Sequence, residues 1–180
     1  MEPMLKRTFK LEFVGFVFIV LAGSLLHFVF EWSGSRTWVA LFAAVNESTW
    51  EHLKLAFYPA VLFSIVEFPF FKDMTKNFLV AKTVSFYVMP ISIIILFYGY
   101  MLIFKEDSLF WDILTFILAI AAGQFVSCRI LISRKLPELI QKASVVFLVL
   151  ISLSFLLFTY FPLHNFLFKD PVTGGFGIIK

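Results

Sequence analysis

TVSFYVMPISIIILFYGYMLIF, residues 83–104, contains no Asp, Glu, Lys or Arg. A helix rising about 1.5 Å per residue needs roughly 20 such residues to cross a hydrocarbon core of about 30 Å. The stretch is apolar throughout, without the period-two alternation of a barrel strand, so a helix is the form that satisfies its backbone in lipid. The rest of the chain has the same character. It is 61% hydrophobic and 15% charged with a mean hydropathy of +0.93, whereas soluble domains are roughly half apolar and a quarter charged.

Reading outward gives an all-α, integral membrane bundle of five transmembrane helices in one domain over residues 1–180. The spans run from about Leu11 to Glu31, Glu47 to Phe70, Val80 to Phe104, Leu109 to Leu131 and Ala143 to Tyr160, and residues 161–180 form a tail. Pro59 and Pro90 are expected to kink the second and third spans, and Pro69 and Pro162 to end theirs.

Basic residues set the orientation. Lys6, Arg7, Lys10, Lys72, Lys76, Lys82, Arg129, Arg134, Lys135 and Lys142 fall on one side, and Arg36, Lys54, Lys105, Lys169 and Lys180 on the other. By the positive-inside rule the N-terminus is cytoplasmic and the C-terminus outside, which places Trp32, Trp38, Trp50 and Trp111 at the outer interface. The basic start followed by an apolar run reads as a retained signal anchor, because the run exceeds a signal peptide's and no small-residue cleavage site follows.

Several chemistries are excluded. The single Cys128 permits no internal disulfide and no CxxC site. No P-loop, GxSxG, HExxH or dinucleotide fingerprint occurs. The net charge of +3 comes from topology signals, so no nucleic acid partner is expected.

The polar residues gather on the outer side. His27 and Glu31 are i and i+4 and share a helix face about a turn into the bilayer, where ionisable side chains are costly and usually functional. NESTWEHLK, residues 46–54, opens the second span. Glu47, Glu51 and Lys54 make one stripe that Tyr58 extends, and Ser48 with His52 makes a second. The like charges of Glu47 and Glu51 call for compensation by Lys54, Arg36, a shared proton or a bound cation. The same residues also fit plain capping, since Ser48 and Glu51 match the box S-x-x-E and first-turn acids favour the helix dipole. Asn46-Glu47-Ser48 is formally a glycosylation sequon, too close to the membrane to favour modification.

Asp112 begins the fourth span. The tail, LHNFLFKDPVTGGFGIIK, is too apolar to float freely, with Phe166, Leu167, Phe168, Phe176, Ile178 and Ile179. It is expected to fold over the outer face as a lid that brings His164 and Asp170 to the pocket. At the inner ends, Glu12 and Glu67 can pair with neighbouring lysines, and Gln124 and Ser127 can bond between helices.

HFVFEWSG, VNESTWEHLKL followed by Pro59, and FKDPVTGGFGI resemble an uncharacterised family of small multi-pass bacterial membrane proteins, a domain of unknown function. That resemblance covers most of the chain and implies a bacterial plasma membrane, but no activity. The His27 and Glu31 pair is also loosely similar to the emopamil-binding sterol isomerases, which use membrane-buried acids in proton transfer; the other motifs depart from them.

The leading functional reading is a membrane-embedded enzyme acting on a lipid-like substrate at the outer leaflet. Its acid/base candidates are His27, Glu31, Glu51 and His52, and its binding residues Asn46, Glu47, Lys54, Tyr58, Asp112, His164 and Asp170. A divalent metal such as zinc would sit on His27, Glu47 and Glu51. The alternatives are a non-catalytic binder or carrier of a cation or amphiphile, and a structural subunit. Membrane lipids are the expected partners, with a membrane-protein partner or a homo-oligomer as further options.

Overall fold

The computed structural model describes residues 2–178; the expectations placed on Ile179 and Lys180 lie outside the described residues. Five helices follow one another: α1 (Glu2–Trp32), α2 (Thr49–Phe71), α3 (Phe78–Phe104), α4 (Leu109–Leu131) and α5 (Glu138–Tyr160). A short 3-10 turn, Val39–Leu41, lies in the connection between α1 and α2. All five helices are long and apolar enough to cross a membrane.

The helices overrun the apolar windows at their charged ends. Helix α1 begins at Glu2 rather than near Leu11, and α5 at Glu138 rather than Ala143. Lys6, Arg7 and Lys10 are therefore helical, since a hydropathy window locates the apolar middle of a helix and not its caps. Pro69 does not stop α2, which runs on to Phe71.

Helix α1 packs on α2 and α4, and α3 packs on α2, α4 and α5. The first four helices thus close a ring, with α5 laid against α3. Helix α2 is the most enclosed: 56% of its apolar window is buried, against 22–28% in the other four. Its Phe57 meets Phe86 of α3 and Phe155 of α5, with ring centroids 5.5 and 4.7 Å apart.

The register of α1 on α2 follows from a proline and a glycine. Pro59 has no N–H, so the Leu55 carbonyl one turn earlier loses its partner within the helix. Gly23 of α1 packs directly on that carbonyl, and a Cβ built there would lie only 2.4 Å from the Leu55 oxygen. This close approach puts His27, one turn after Gly23, opposite the first turn of α2.

Two polar devices tie the ends of the bundle. Opposite the histidines, the buried Asn77 amide donates to the carbonyls of Ile130, Ser133 and Arg134, and its oxygen accepts from the Leu136 N–H. At the histidine end the tail crosses the helix termini. The Trp50 N–H donates to the Leu167 carbonyl at 2.9 Å, Phe168 stacks on Trp50, and the Asn46 amide donates to the Gly177 carbonyl at 2.8 Å. Gly177 has φ +65°, and a Cβ there would come within 2.9 Å of the Pro162 ring, so other residues are disfavoured.

Gly23→Val should cost about 1–3 kcal/mol, because its branched side chain must displace backbone rather than a flexible tip. Gly99→Ala, at a helical position with nothing within 4 Å, should be neutral or stabilising by up to about 1 kcal/mol. Thermal unfolding of the two variants in the same detergent checks the contrast.

Candidate metal centre

The histidine end is built outward from the N-terminus of α2. Ser48, with extended backbone at φ −68° and ψ 148°, is the N-cap, and its hydroxyl accepts from the Glu51 N–H at 3.4 Å. The helix therefore starts at Thr49, and Glu47 lies before it. Helical periodicity does not govern Glu47, so the expected stripe of Glu47, Glu51 and Lys54 does not form.

Glu51 turns inward instead. Its carboxylate pairs with Lys54 at 2.5 Å and accepts the Val45 N–H at 3.1 Å. Lys54 is fully buried, and its ammonium also donates to the Ala40 carbonyl at 2.8 Å and the Thr159 hydroxyl at 3.1 Å. All three ammonium protons thus have acceptors, on α2, the 3-10 turn and α5. The capping box is only half formed, because Glu51 serves Val45 while the Ser48 N–H donates to the Asn46 side chain at 2.8 Å. Asn46 closes a local turn with that bond and holds the tail with its amide. Asn46, Glu51 and Lys54 together fix the loop that presents Glu47.

Three ligand atoms converge there. His27 of α1, Glu47 of the loop and His52 of α2 place one donor atom each within 4.8 Å of one another. The two Nε2 atoms are 3.3 Å apart, and Glu47 Oε2 lies 3.6 Å from His27 Nε2 and 3.5 Å from His52 Nε2. The carboxylate contacts are too long for N–H···O hydrogen bonds, which run about 2.7–3.2 Å. They are close to the donor spacing of a metal site: a tetrahedral ion with bonds of about 2.0–2.1 Å separates its ligands by roughly 3.3–3.4 Å. Octahedral coordination at the same bond length would need about 3.0 Å between neighbours.

The surroundings prepare these atoms for ligation. His52 Nδ1 lies 2.9 Å from the Ser48 carbonyl. A neutral ring that donates its Nδ1–H there leaves Nε2 with its lone pair toward the triangle, the arrangement typical of a metal-bound histidine. The His27 imidazole facing Glu47 holds its carboxyl below the usual carboxylate range, and partial burial opposes this. Glu47 is therefore anionic at neutral pH.

The expected metal set of His27, Glu47 and Glu51 differs from this triangle at one position, with His52 where Glu51 was anticipated. The other candidates are dispersed. Glu31 is exposed and lines a cleft of ≈ 240 Å³ beside His27 and Glu47, together with Phe28, Phe30 and Val45. Tyr58 packs its ring edge-on to Phe42 and Phe57, a turn deeper. Asp112 accepts the Tyr100 hydroxyl, which also reaches Asp107 at 3.0 Å. His164 is exposed against Phe176. Asp170 is buried in its own turn, accepting from the Val172 and Thr173 N–H groups and the Thr173 hydroxyl. The lid thus contributes backbone contacts to the site, through Leu167 and Gly177, and neither of its two candidate side chains.

Lys54→Met should destabilise the protein by about 3–5 kcal/mol, because it strands the Glu51 charge in an apolar interior. Adding Glu51→Leu should recover much of that loss, less the unpaired Val45 N–H. Unfolding midpoints of the single and double variants give the comparison.

The chain matches the model of a family described as a family of unknown function (DUF6512) over residues 2–178. No curated protein and no solved structure matches it.

Proposed function

The chain belongs to that family of unknown function, which brings no activity with it, and we propose from the geometry that this is a multi-pass membrane protein with a divalent-metal centre on His27, Glu47 and His52, serving an enzyme of lipid-like substrates. The carrying observation is the ligand triangle, with its edges of 3.3, 3.5 and 3.6 Å. Two imidazoles and a carboxylate suit zinc, and three protein ligands leave one position for water or substrate, as catalytic rather than structural zinc sites do. A bound zinc would acidify that water and polarise a carbonyl or phosphoryl oxygen.

The cleft beside the triangle supports a lipid-like substrate. Phe28 and Phe30 give it apolar walls, and Glu31 supplies a polar rim. Exposed Phe28 and Trp32 stack at 5.8 Å on the helix that carries His27, and such aromatic pairs suit the level of lipid headgroups. In this reading the histidine end faces outward from a bacterial plasma membrane, and the end rich in Lys and Arg faces the cytoplasm. Asn46, Glu51 and Lys54 act as positioning residues for Glu47.

Metal-stripped protein titrated with zinc should bind one ion per chain. His27→Ala and His52→Ala should each weaken binding by more than about 100-fold, and Glu47→Gln by at least about tenfold, because outer-shell changes alone often cost 10–100-fold. Affinity should fall on acidification, because a protonated ring nitrogen has no lone pair left to give the metal. A parent without stoichiometric metal, or histidine variants that bind like the parent, would overturn the metal centre. A loaded protein that turns over no lipid-like substrate would leave the binder or carrier reading in its place.

A further inference from the structure

The second group of buried charges lies toward the other end of the bundle. Glu12 of α1, Glu67 of α2 and Lys82 of α3 are each no more than 3% exposed. The Lys82 ammonium meets both carboxylates, Glu12 Oε1 at 2.7 Å and Glu67 Oε1 in short contact. Helix α4 completes the enclosure, with the Ser127 hydroxyl donating to Glu12 Oε1 at 2.8 Å and the Gln124 amide to the Glu12 carbonyl at 3.0 Å. Four helices therefore converge on these three charges.

Among the described residues, this cluster and the Lys54–Glu51 pair differ in charge balance. Lys54 and Glu51 are one to one, with every ammonium proton and the carboxylate engaged. The second cluster has two carboxylates for one ammonium, and Glu12 Oε2 and Glu67 Oε2 are buried without a hydrogen-bond donor. An uncompensated negative charge in a low-dielectric interior costs several kcal/mol, so the cluster has to take up a cation to become neutral. Orphaned carboxylate oxygens are the atoms that would carry it.

The chemistry favours a proton over a metal ion. The Lys82 ammonium already occupies the point where the carboxylates meet, and a metal ion placed there would be repelled by it. A proton on a free oxygen needs no such space and turns an orphaned acceptor into a donor. Among the described residues the neighbouring basic groups lie outward: Arg7 and Lys10 on α1 and Lys72 after α2 are exposed, with Arg7 over the Phe70 ring. On α4, Cys128 is a buried thiol close enough to feel Glu12 and Lys82, and Arg129 beside it is exposed. On α5, buried Ser144 accepts the Thr83 hydroxyl through its carbonyl, while Lys142 pairs with Glu138 at the surface.

We propose that Glu12, Glu67 and Lys82 form a proton-binding site, in which one exchangeable proton is held by the two carboxylates beside the Lys82 ammonium. Loading converts one carboxylate to a carboxylic acid and makes the cluster neutral; release returns it to a net charge of −1. Buried Thr8 and Ser85 hydroxyls, both without partners, lie one turn from Glu12 and Lys82 on their helices and provide polar positions next to the site.

Infrared difference spectroscopy of the full chain in lipid nanodiscs, stepped between about pH 5 and pH 9, tests this. The parent should show the C=O stretch of a protonated carboxyl that shifts in D₂O. Glu67→Gln and Glu12→Gln each leave a one-to-one pair, so both should remain monodisperse and lose the band. A parent without the band, or a band that survives in both variants, would overturn the site. So would loss of the band on adding sodium at fixed pH, which would assign the position to a metal cation, or a nitrogen NMR signal of a neutral Lys82 amine.

Discussion

Lys54 directs its three N–H bonds to Glu51, the Ala40 carbonyl and the Thr159 hydroxyl, and Glu51 passes the tie on to the Val45 N–H. A buried ammonium has no tolerance for a missing acceptor, so this pair fixes α2, the 3-10 turn, the following loop and the end of α5 relative to one another. The loop that presents Glu47 depends on that arrangement. Glu47 sits two residues beyond Val45, on a loop that by itself would sample many conformations. Anchoring Val45 and closing the Asn46 turn restrict that freedom and hold Glu47 facing the two histidines.

Helix packing supplies the other half of the site. Pro59 frees the Leu55 carbonyl, Gly23 lets α1 approach it, and the two histidines come into register above that contact. Close approach at a small residue is how membrane helices gain packing where lipid offers little hydrophobic drive for association. The triangle of His27, Glu47 and His52 therefore joins two helices and one pinned loop.

The polar groups divide by depth in a manner that matches their chemistry. At the histidine end the His27, Glu47 and His52 side chains are half-exposed beside a cleft, above the buried Lys54 and Glu51 pair. In the other half, Glu12, Glu67 and Lys82 are enclosed by four helices.

The five helices were legible in the sequence because lipid-length apolar runs such as residues 83–104 leave the backbone no other means of satisfying its hydrogen bonds. The position of the polar cluster was legible too, since His27, Glu31 and the 46–54 stretch all fall at one end of adjacent spans. What the sequence could not fix was which side chains meet. Periodicity put Glu47 and Glu51 on one stripe, but Ser48 caps the helix after Glu47 and frees it to turn toward the histidines. Glu51 was readable as a ligand or as a capping acid; in the fold it is buried beside Lys54 and accepts the Val45 N–H. Glu12 and Glu67 were readable as partners of neighbouring lysines, and only packing showed that both share Lys82. Local pattern determines where a helix runs and roughly which face is polar; the meeting of side chains from different helices is decided by close approaches and buried charge balance, which exist only in the folded chain.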